Sequence, residues 1–347
     1  MRRRQFIHSS GIALSGALLT PTLISARAML EPFKDLTIGH GSHQYKIDMT
    51  WGALDARHYP VNDCHEMVQD AKGRIILLTN HTKNNVIVYD KKGRLQEVWG
   101  TEFPGAHGLT LNVEGGEEFL YICDNNRHEV IKTTLQGKVV QVYPHPADAD
   151  KYEKAEQFVP TESAIAPNGD IYIADGYGEQ YITHYNQKGE LLNIFGGRGE
   201  GDDHFDNVHG IALETRFDEP SLLITSRQRN QFKRFSLAGD LQKVIEVPGA
   251  KICRPVVHGR ELYFATLASR STANTPSGFI CIFNDQDELI SAPTANAPVY
   301  EEGQLKESYQ VLKVFQYPHD VCVDDEENLY VAQWNSGKTY PIKLNRI

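Results

Sequence analysis

Residues 64–99 run through Cys64-His65-Glu66-Met67-Val68, Asp70-Ala71-Lys72-Gly73, Ile75-Ile76-Leu77-Leu78, Val86-Ile87-Val88-Tyr89, Lys92-Gly93 and Leu95-Gln96-Glu97-Val98-Trp99. Short apolar runs parted by Gly-containing turns read as successive antiparallel strands, with little sign of a helical period. The same phrase returns. His107-Gly108-Leu109-Thr110-Leu111, Phe119-Leu120-Tyr121-Ile122, Val130-Ile131-Lys132 and Val139-Val140-Gln141-Val142 make a second copy. Glu162-Ser163-Ala164-Ile165, Asn168-Gly169, Ile171-Tyr172-Ile173-Ala174, Ile182-Thr183-His184-Tyr185, Lys188-Gly189 and Leu191-Leu192-Asn193-Ile194-Phe195 make a third.

Further copies start near His209, Arg254 and His319, so starts at 65, 107, 162, 209, 254 and 319 are separated by 42, 55, 47, 45 and 65 residues. Those intervals suit four-stranded blades, and six copies predict an all-β, six-bladed propeller over residues 58–347. A sandwich would not need one phrase six times. The long last interval predicts an insertion at residues 292–307. Residues 29–57 are expected to supply the closing strand of the last blade, a common way to remove an exposed edge.

Of 347 residues, 40% are hydrophobic and 23% charged, enough for a core and against wholesale disorder. A formal charge of −10 without a clustered basic face argues against nucleic acid as a main partner. Residues 1–28 read as a twin-arginine export signal: Arg2, Arg3 and Arg4 before Gln5-Phe6-Ile7, a modest apolar stretch, then Ala26-Arg27-Ala28 as a cleavage signature. The stretch is broken by Pro21 and falls short of a membrane span, and no later stretch is long and apolar enough to be one. The expected location is the bacterial periplasm or the cell exterior. Five cysteines, none in a Cys-x-x-Cys pair, leave disulfide pairing open; Cys123, Cys281 and Cys322 sit in apolar runs typical of buried thiols.

Equivalent residues at the start of each innermost strand gather round a propeller's central channel. Here those positions hold His65, His107, Glu162, His209, Arg254 and His319. His107, His209 and His319 fall on alternate blades, about 120° apart in a six-fold ring, and three imidazoles on one axial point suit zinc with a position left open for substrate. Glu162 is expected to orient a ligand histidine, to ligate metal, or to be a solvated channel carboxylate. Arg254 is expected to offset it as an internal ion pair.

The repeats resemble NHL repeats. The phrases Pro104-Gly105-Ala106-His107-Gly108-Leu109, Pro160-Thr161-Glu162, Asp175-Gly176-Tyr177, Val208-His209-Gly210-Ile211 and Pro318-His319-Asp320-Val321 resemble the peptidyl-α-hydroxyglycine α-amidating lyases, propeller zinc enzymes. That resemblance implies zinc on His107, His209 and His319, with Tyr177 and Arg227 as active-site residues. It also implies a structural calcium held by the Leu109 carbonyl, the Asp320 carboxylate and a first-blade carbonyl near Met67. The implied substrate is a small molecule or peptide bearing a carbinolamide. One departure stands out. Where the family has a second catalytic arginine, this chain has Asn80 or His81, with Lys83 the nearest cation, and lysine does not reproduce a bidentate guanidinium. Two other functions fit the fold: a calcium-dependent, lactonase-like hydrolase, which needs a Glu/Asn/Asp cage, and a non-catalytic propeller that binds peptide or protein.

Overall fold

Asp70 shows why the repeated phrase makes hairpins. Its Oδ1 accepts the backbone N–H groups of Lys72 (3.0 Å) and Arg74 (2.8 Å), while Gly73 takes a left-handed φ of 75°. Asp90 and Asn186 do the same for the turns ending at Gly93 and Gly189. A short acceptor side chain and a residue free to adopt positive φ specify the reversal locally.

The computed structural model describes residue 33 and residues 35–146, 151–270 and 276–347. The expected export signal, residues 1–28, lies outside them, as does the beginning of the expected closing segment. The first blade consists of Cys64–Gln69, Ile75–Thr79, Val86–Tyr89 and Leu95–Trp99. The second is Ala106–Glu114, Glu117–Asp124, Glu129–Thr134 and Val139–Pro144, and the third Glu162–Ile165, Ile171–Ala174, Tyr181–Tyr185 and Leu191–Gly196. Ile211–Glu214, Ser221–Ser226, Gln231–Phe235 and Leu241–Glu246 form the fourth; Ala250–His258, Glu261–Ser269, Phe279–Phe283 and Leu289–Ser291 form the fifth. Their first strands, with Pro318–Val323 of the sixth blade, contact one another in a closed ring around the channel.

The sixth blade is composite. Pro318–Val323, Leu329–Gln333 and Ile342–Arg346 come from the C-terminal end, and His43–Asp48 and Thr37–His40 complete the sheet. Tyr45 pairs with Arg346 and Ile47 with Leu344, so the ring is closed by an antiparallel ladder between the two ends of the chain. Residues 292–307 contain the two-stranded hairpin Tyr300–Glu301/Gln304–Leu305 between the fifth and sixth blades.

Apolar residues pack face to face between adjacent blades. Ile76, Leu78 and Val86 meet Leu109, Leu120 and Ile122 between the first and second; Trp51, Ile75 and Leu77 meet Tyr330 and Ala332 between the first and sixth. Each such buried side chain is worth about 1.5–3 kcal/mol of transfer free energy, so the ring is held by its inter-blade layers and the channel is free to carry polar groups. All five cysteines are buried free thiols. No helix among the described residues is long and apolar enough to cross a membrane.

Candidate metal centre and active site

The histidines enter the channel through a shared backbone device. In the first, second and sixth blades the strand register slips at one residue: between Cys64 and Glu66, between Ala106 and Gly108, and between Pro318 and Asp320. The skipped residues are His65, His107 and His319. A bulge adds an unpaired residue and re-aims its side chain, here toward the axis. His209 reaches the same place from the loop just before Ile211–Glu214. The glycines after His107 and His209 have a packing reason. A Cβ on Gly108 would lie 2.5 Å from the Thr161 carbonyl oxygen, and one on Gly210 2.5 Å from the Arg254 Cα, so neighbouring inner strands pass at contact distance.

The rings of His107, His209 and His319 pack against one another. Ring centroids are 5.0 Å apart for His107–His209, 4.7 Å for His107–His319 and 4.8 Å for His209–His319. His65 joins from the other flank, 4.8 Å from His107 and 4.9 Å from His319. By ligand atoms the tight set is His65, His107 and His319, all within 4.8 Å of one another, with the first-blade histidine where His209 is expected; His209 joins it through ring contacts with His107 and His319. His107 Nδ1 lies 2.9 Å from the Thr161 carbonyl and His319 Nδ1 3.1 Å from the His65 carbonyl. A carbonyl only accepts, so these Nδ1 atoms carry the hydrogens and each Nε2 presents a lone pair. His319 Nε2, His65 Nδ1 and His209 Nδ1 are buried without hydrogen-bond partners. Burial, reinforced by the neighbouring cations and imidazoles, pushes His107, His209 and His319 well below the usual histidine range, and burial takes His65 down to about 3. Neutral imidazoles with unused lone pairs are the donor set a transition metal requires.

Tyr177 closes this cluster. Its hydroxyl lies 3.1 Å from His107 Nε2 and 3.1 Å from His209 Nε2. The residue as a whole is 42% exposed, because the ring edge faces a cleft while the hydroxyl is sunk among the histidines. Burial raises its pKa, and Arg227 acts against that rise. The Arg227 guanidinium lies 6.0 Å from the Tyr177 ring centroid and donates Nε–H to Asn207 Oδ1 at 2.6 Å. Asp175 anchors the tyrosine loop by accepting from Val159 N–H (2.6 Å), Glu179 N–H (2.7 Å) and the Tyr152 hydroxyl (2.9 Å).

The cleft beside Tyr177 has a volume of about 270 Å³ and is lined by His65, His107, Asn80, Asn125, Asn126 and Trp334 among others. Asn80 therefore reaches the site, held by Asp63 through bonds of 3.0 and 3.1 Å. Lys83 does not: its ammonium is spent on the Arg57 carbonyl at 3.1 Å. Asn125, Asn126, Asn207 and Trp334 have no signal in the sequence, because turn asparagines and a lone tryptophan carry no pattern of their own. A larger cleft of about 540 Å³ lies between Lys243–Glu246 and the Tyr300–Leu305 hairpin, and its lining has no histidine.

The expected calcium ligands require correction. The Met67 carbonyl, the Leu109 carbonyl and the Asp320 carboxylate do converge, but on Arg254. Its Nη1 donates to Leu109 O (3.0 Å), its Nη2 to Met67 O (3.1 Å) and Asp320 Oδ2 (2.9 Å), and its Nε to Asp320 Oδ1 (3.1 Å). A guanidinium sits where the ion would, so these residues do not fit calcium. Nor is Glu162 a solvated carboxylate. It is fully buried, accepts from Thr110 Oγ1 and Ser163 N–H at 2.9 Å each, and lies 3.8 Å from Arg254. Asp320, not Glu162, is the closer ionic partner of Arg254. Burial and adjacent Glu162 push the Glu66 carboxyl well above the usual range, with Arg254 opposing.

No family model matches the chain. Peptidyl-alpha-hydroxyglycine alpha-amidating lyase 1 of Drosophila melanogaster is 33% identical over 270 residues, covering 70% of this chain and 45% of that protein. A probable peptidyl-alpha-hydroxyglycine alpha-amidating lyase of Caenorhabditis elegans is 24% identical over 156 residues, 45% of this chain and 44% of that protein. The chain thus spans less than half the length of these two relatives. Among solved structures, streptogramin B lyase superposes with a TM-score of 0.57 at 15% identity, covering 87% of this chain and 97% of that one. Virginiamycin B lyase from Staphylococcus aureus with quinupristin gives 0.54 at 14% identity, covering 87% and 100%; at such identities the likeness is one of fold. The protein is a six-bladed, lyase-like β-propeller that resembles the peptidyl-α-hydroxyglycine α-amidating lyases.

Proposed function

We propose that this protein is a zinc-dependent carbon–nitrogen lyase that cleaves a carbinolamide to an amide and an aldehyde. One observation carries the reading: the Tyr177 hydroxyl lies 3.1 Å from the Nε2 atoms of both His107 and His209, beside the unpartnered Nε2 of His319. His107, His209 and His319 would hold the metal, with His65 as a neighbouring fourth imidazole. Zinc bound there supplies a Lewis acid that favours the ionised form of a substrate hydroxyl.

Tyr177 would act as phenolate, a form that a dication on the histidines and the Arg227 guanidinium would favour against burial, and take the hydroxyl proton. As the carbon–oxygen bond becomes a carbonyl, the carbon–nitrogen bond breaks and its electron pair goes to nitrogen, which takes that proton from Tyr177 and leaves as the amide. Arg227, held by Asn207, stabilises negative charge on the Tyr177 oxygen or on a substrate carboxylate. The cleft wall of Asn80, Asn125 and Asn126 offers amide donors and acceptors without a second cation. Substrates lacking a carboxylate should therefore turn over beside α-hydroxyglycine compounds.

The relatives' names support the lyase reading. A calcium-dependent lactonase is disfavoured because the convergent oxygens close on Arg254 rather than on an open cage. The arginine-rich start of the sequence supports export to the periplasm or cell exterior; N-terminal sequencing of the exported protein should begin at Met29. The direct test is glyoxylate release from an N-acyl-α-hydroxyglycine. Zinc-loaded protein should produce glyoxylate and amide in equal amounts, and no aldehyde from this or from a carboxylate-free carbinolamide would refute the reaction.

A further inference from the structure

Met67, Leu109 and Asp320 each sit next to or two residues beyond a channel histidine: His65, His107 and His319 respectively. Whatever ties these three groups together therefore fixes the strands that carry three of the four imidazoles. The tie is the Arg254 side chain, which enters from the fifth blade and gives four N–H bonds of 2.9–3.1 Å to two carbonyls and one carboxylate. Two more carboxylates stand just outside that shell, with Glu66 Oε2 3.6 Å and Glu162 Oε2 3.8 Å from Arg254 Nε. Glu162 Oε2 is buried and has no hydrogen-bond partner. Asp320 Oδ2 also accepts Met67 N–H at 2.8 Å, and Glu66 Oε2 accepts Leu109 N–H at 2.6 Å, so the acids are bound into the same frame.

We propose that Arg254 is a built-in substitute for a structural metal ion: its guanidinium fills an oxygen cage between the first, second and sixth blades, and the protein needs no calcium. The cage chemistry supports this. Backbone carbonyls and carboxylates, with no nitrogen or sulfur donor, are the ligands of hard cations. Even with the Glu66 carboxyl held well above its usual range, Asp320 and Glu162 set two acidic side chains against one arginine. Removing Arg254 would leave carboxylates stranded in a low-dielectric interior, which is strongly destabilising unless another cation enters. A cleft of about 210 Å³ lined by Thr110, Ser163, Ile211 and Arg254 borders the arginine. The inference is independent of the reaction proposed above. Arg254 acts as a positioning residue, through the strands that carry the histidines.

The test is thermal unfolding of wild type and Arg254→Ala, each dialysed free of calcium with zinc held constant, then titrated with calcium chloride. Wild type should bind no stoichiometric calcium and shift by less than about 1 °C, as expected when a ligand has no site on the folded state. Arg254→Ala should melt about 10 °C lower without calcium and recover at least half of that loss in millimolar calcium. Its zinc content should fall and recover in parallel, which a merely packing role would not produce. Arg254→Lys, which keeps a cation, should lose less and not respond to calcium. A wild type that binds one calcium ion and is stabilised by it would overturn the proposal, as would an Arg254→Ala protein indifferent to calcium. Should Arg254→Ala prove insoluble, calcium binding to the wild type decides alone.

Discussion

Tyr177 is the residue on which the proposed chemistry turns. Removing its hydroxyl leaves the ring in its cleft and takes away only the atom facing His107 and His209. Tyr177→Phe should keep its zinc and lose roughly 10²–10⁴-fold in turnover, the range for loss of a positioned acid–base group; steady-state kinetics with metal analysis on the same sample check both halves. The four buried histidines set a pH dependence. Their folded-state pKa values are depressed, so the unfolded chain takes up protons from about pH 6.5 downward while the folded chain does not. Their contribution is fully present above that pH and is lost as pH falls toward the folded values, by up to about 1.4 kcal/mol per pH unit per histidine. Glu66 and Asp175, whose carboxyls are raised, the latter to about 7, act in the opposite sense. Urea midpoints of zinc-free protein should therefore drop between pH 6.5 and 5, and His65→Ala should flatten the drop. A midpoint that rises over that range would contradict the assignment of neutral buried imidazoles.

At the scale of the element, the bulged inner strand is the unit that builds the site. Gly108→Ala places a methyl group 2.5 Å from the Thr161 carbonyl, the same oxygen that orients His107. The strand must shift, and overpacking of this kind costs about 1–3 kcal/mol. Thermal unfolding should show the loss, and zinc affinity should fall with it although no ligand has been changed. These strands also show what the sequence could and could not say. His107, His209 and His319 were legible because each opens a copy of one repeated phrase, and six-fold repetition converts sequence position into angular position. The partners of Arg254 were not. The repeat register placed it in the channel beside Glu162, but not at what depth, and the long side chain reaches across to Met67, Leu109 and Asp320. The repeat register makes His65 channel-lining, and its closeness to His107 and His319 depends on a bulge that no residue pattern announces. The asparagine wall comes from turns of different blades and became visible only once the ring was closed.

At the scale of the whole molecule, closure is the common condition for everything in the channel. The sixth blade is closed by strands from opposite ends of the chain, and Tyr45, fully buried, packs in the layer between the fifth and sixth blades. A protein lacking residues 1–49 would leave the Ile342–Arg346 strand as an open edge and strip Ile38 and Tyr45 from their layer. It should melt well below the full chain and self-associate in sedimentation experiments, while a truncation ending at residue 32 should do neither. Because His319 and Asp320 ride on the blade so closed, the shortened protein should also lose its zinc. The account as a whole stands on imidazoles from separate blades sharing one metal ion. Zinc content by mass spectrometry of purified wild type and His209→Ala, prepared side by side and with folding checked by circular dichroism, tests that most directly. About one zinc per wild-type chain and almost none in the folded variant is the predicted result; a metal-free wild type, or equal zinc in both proteins, would contradict it.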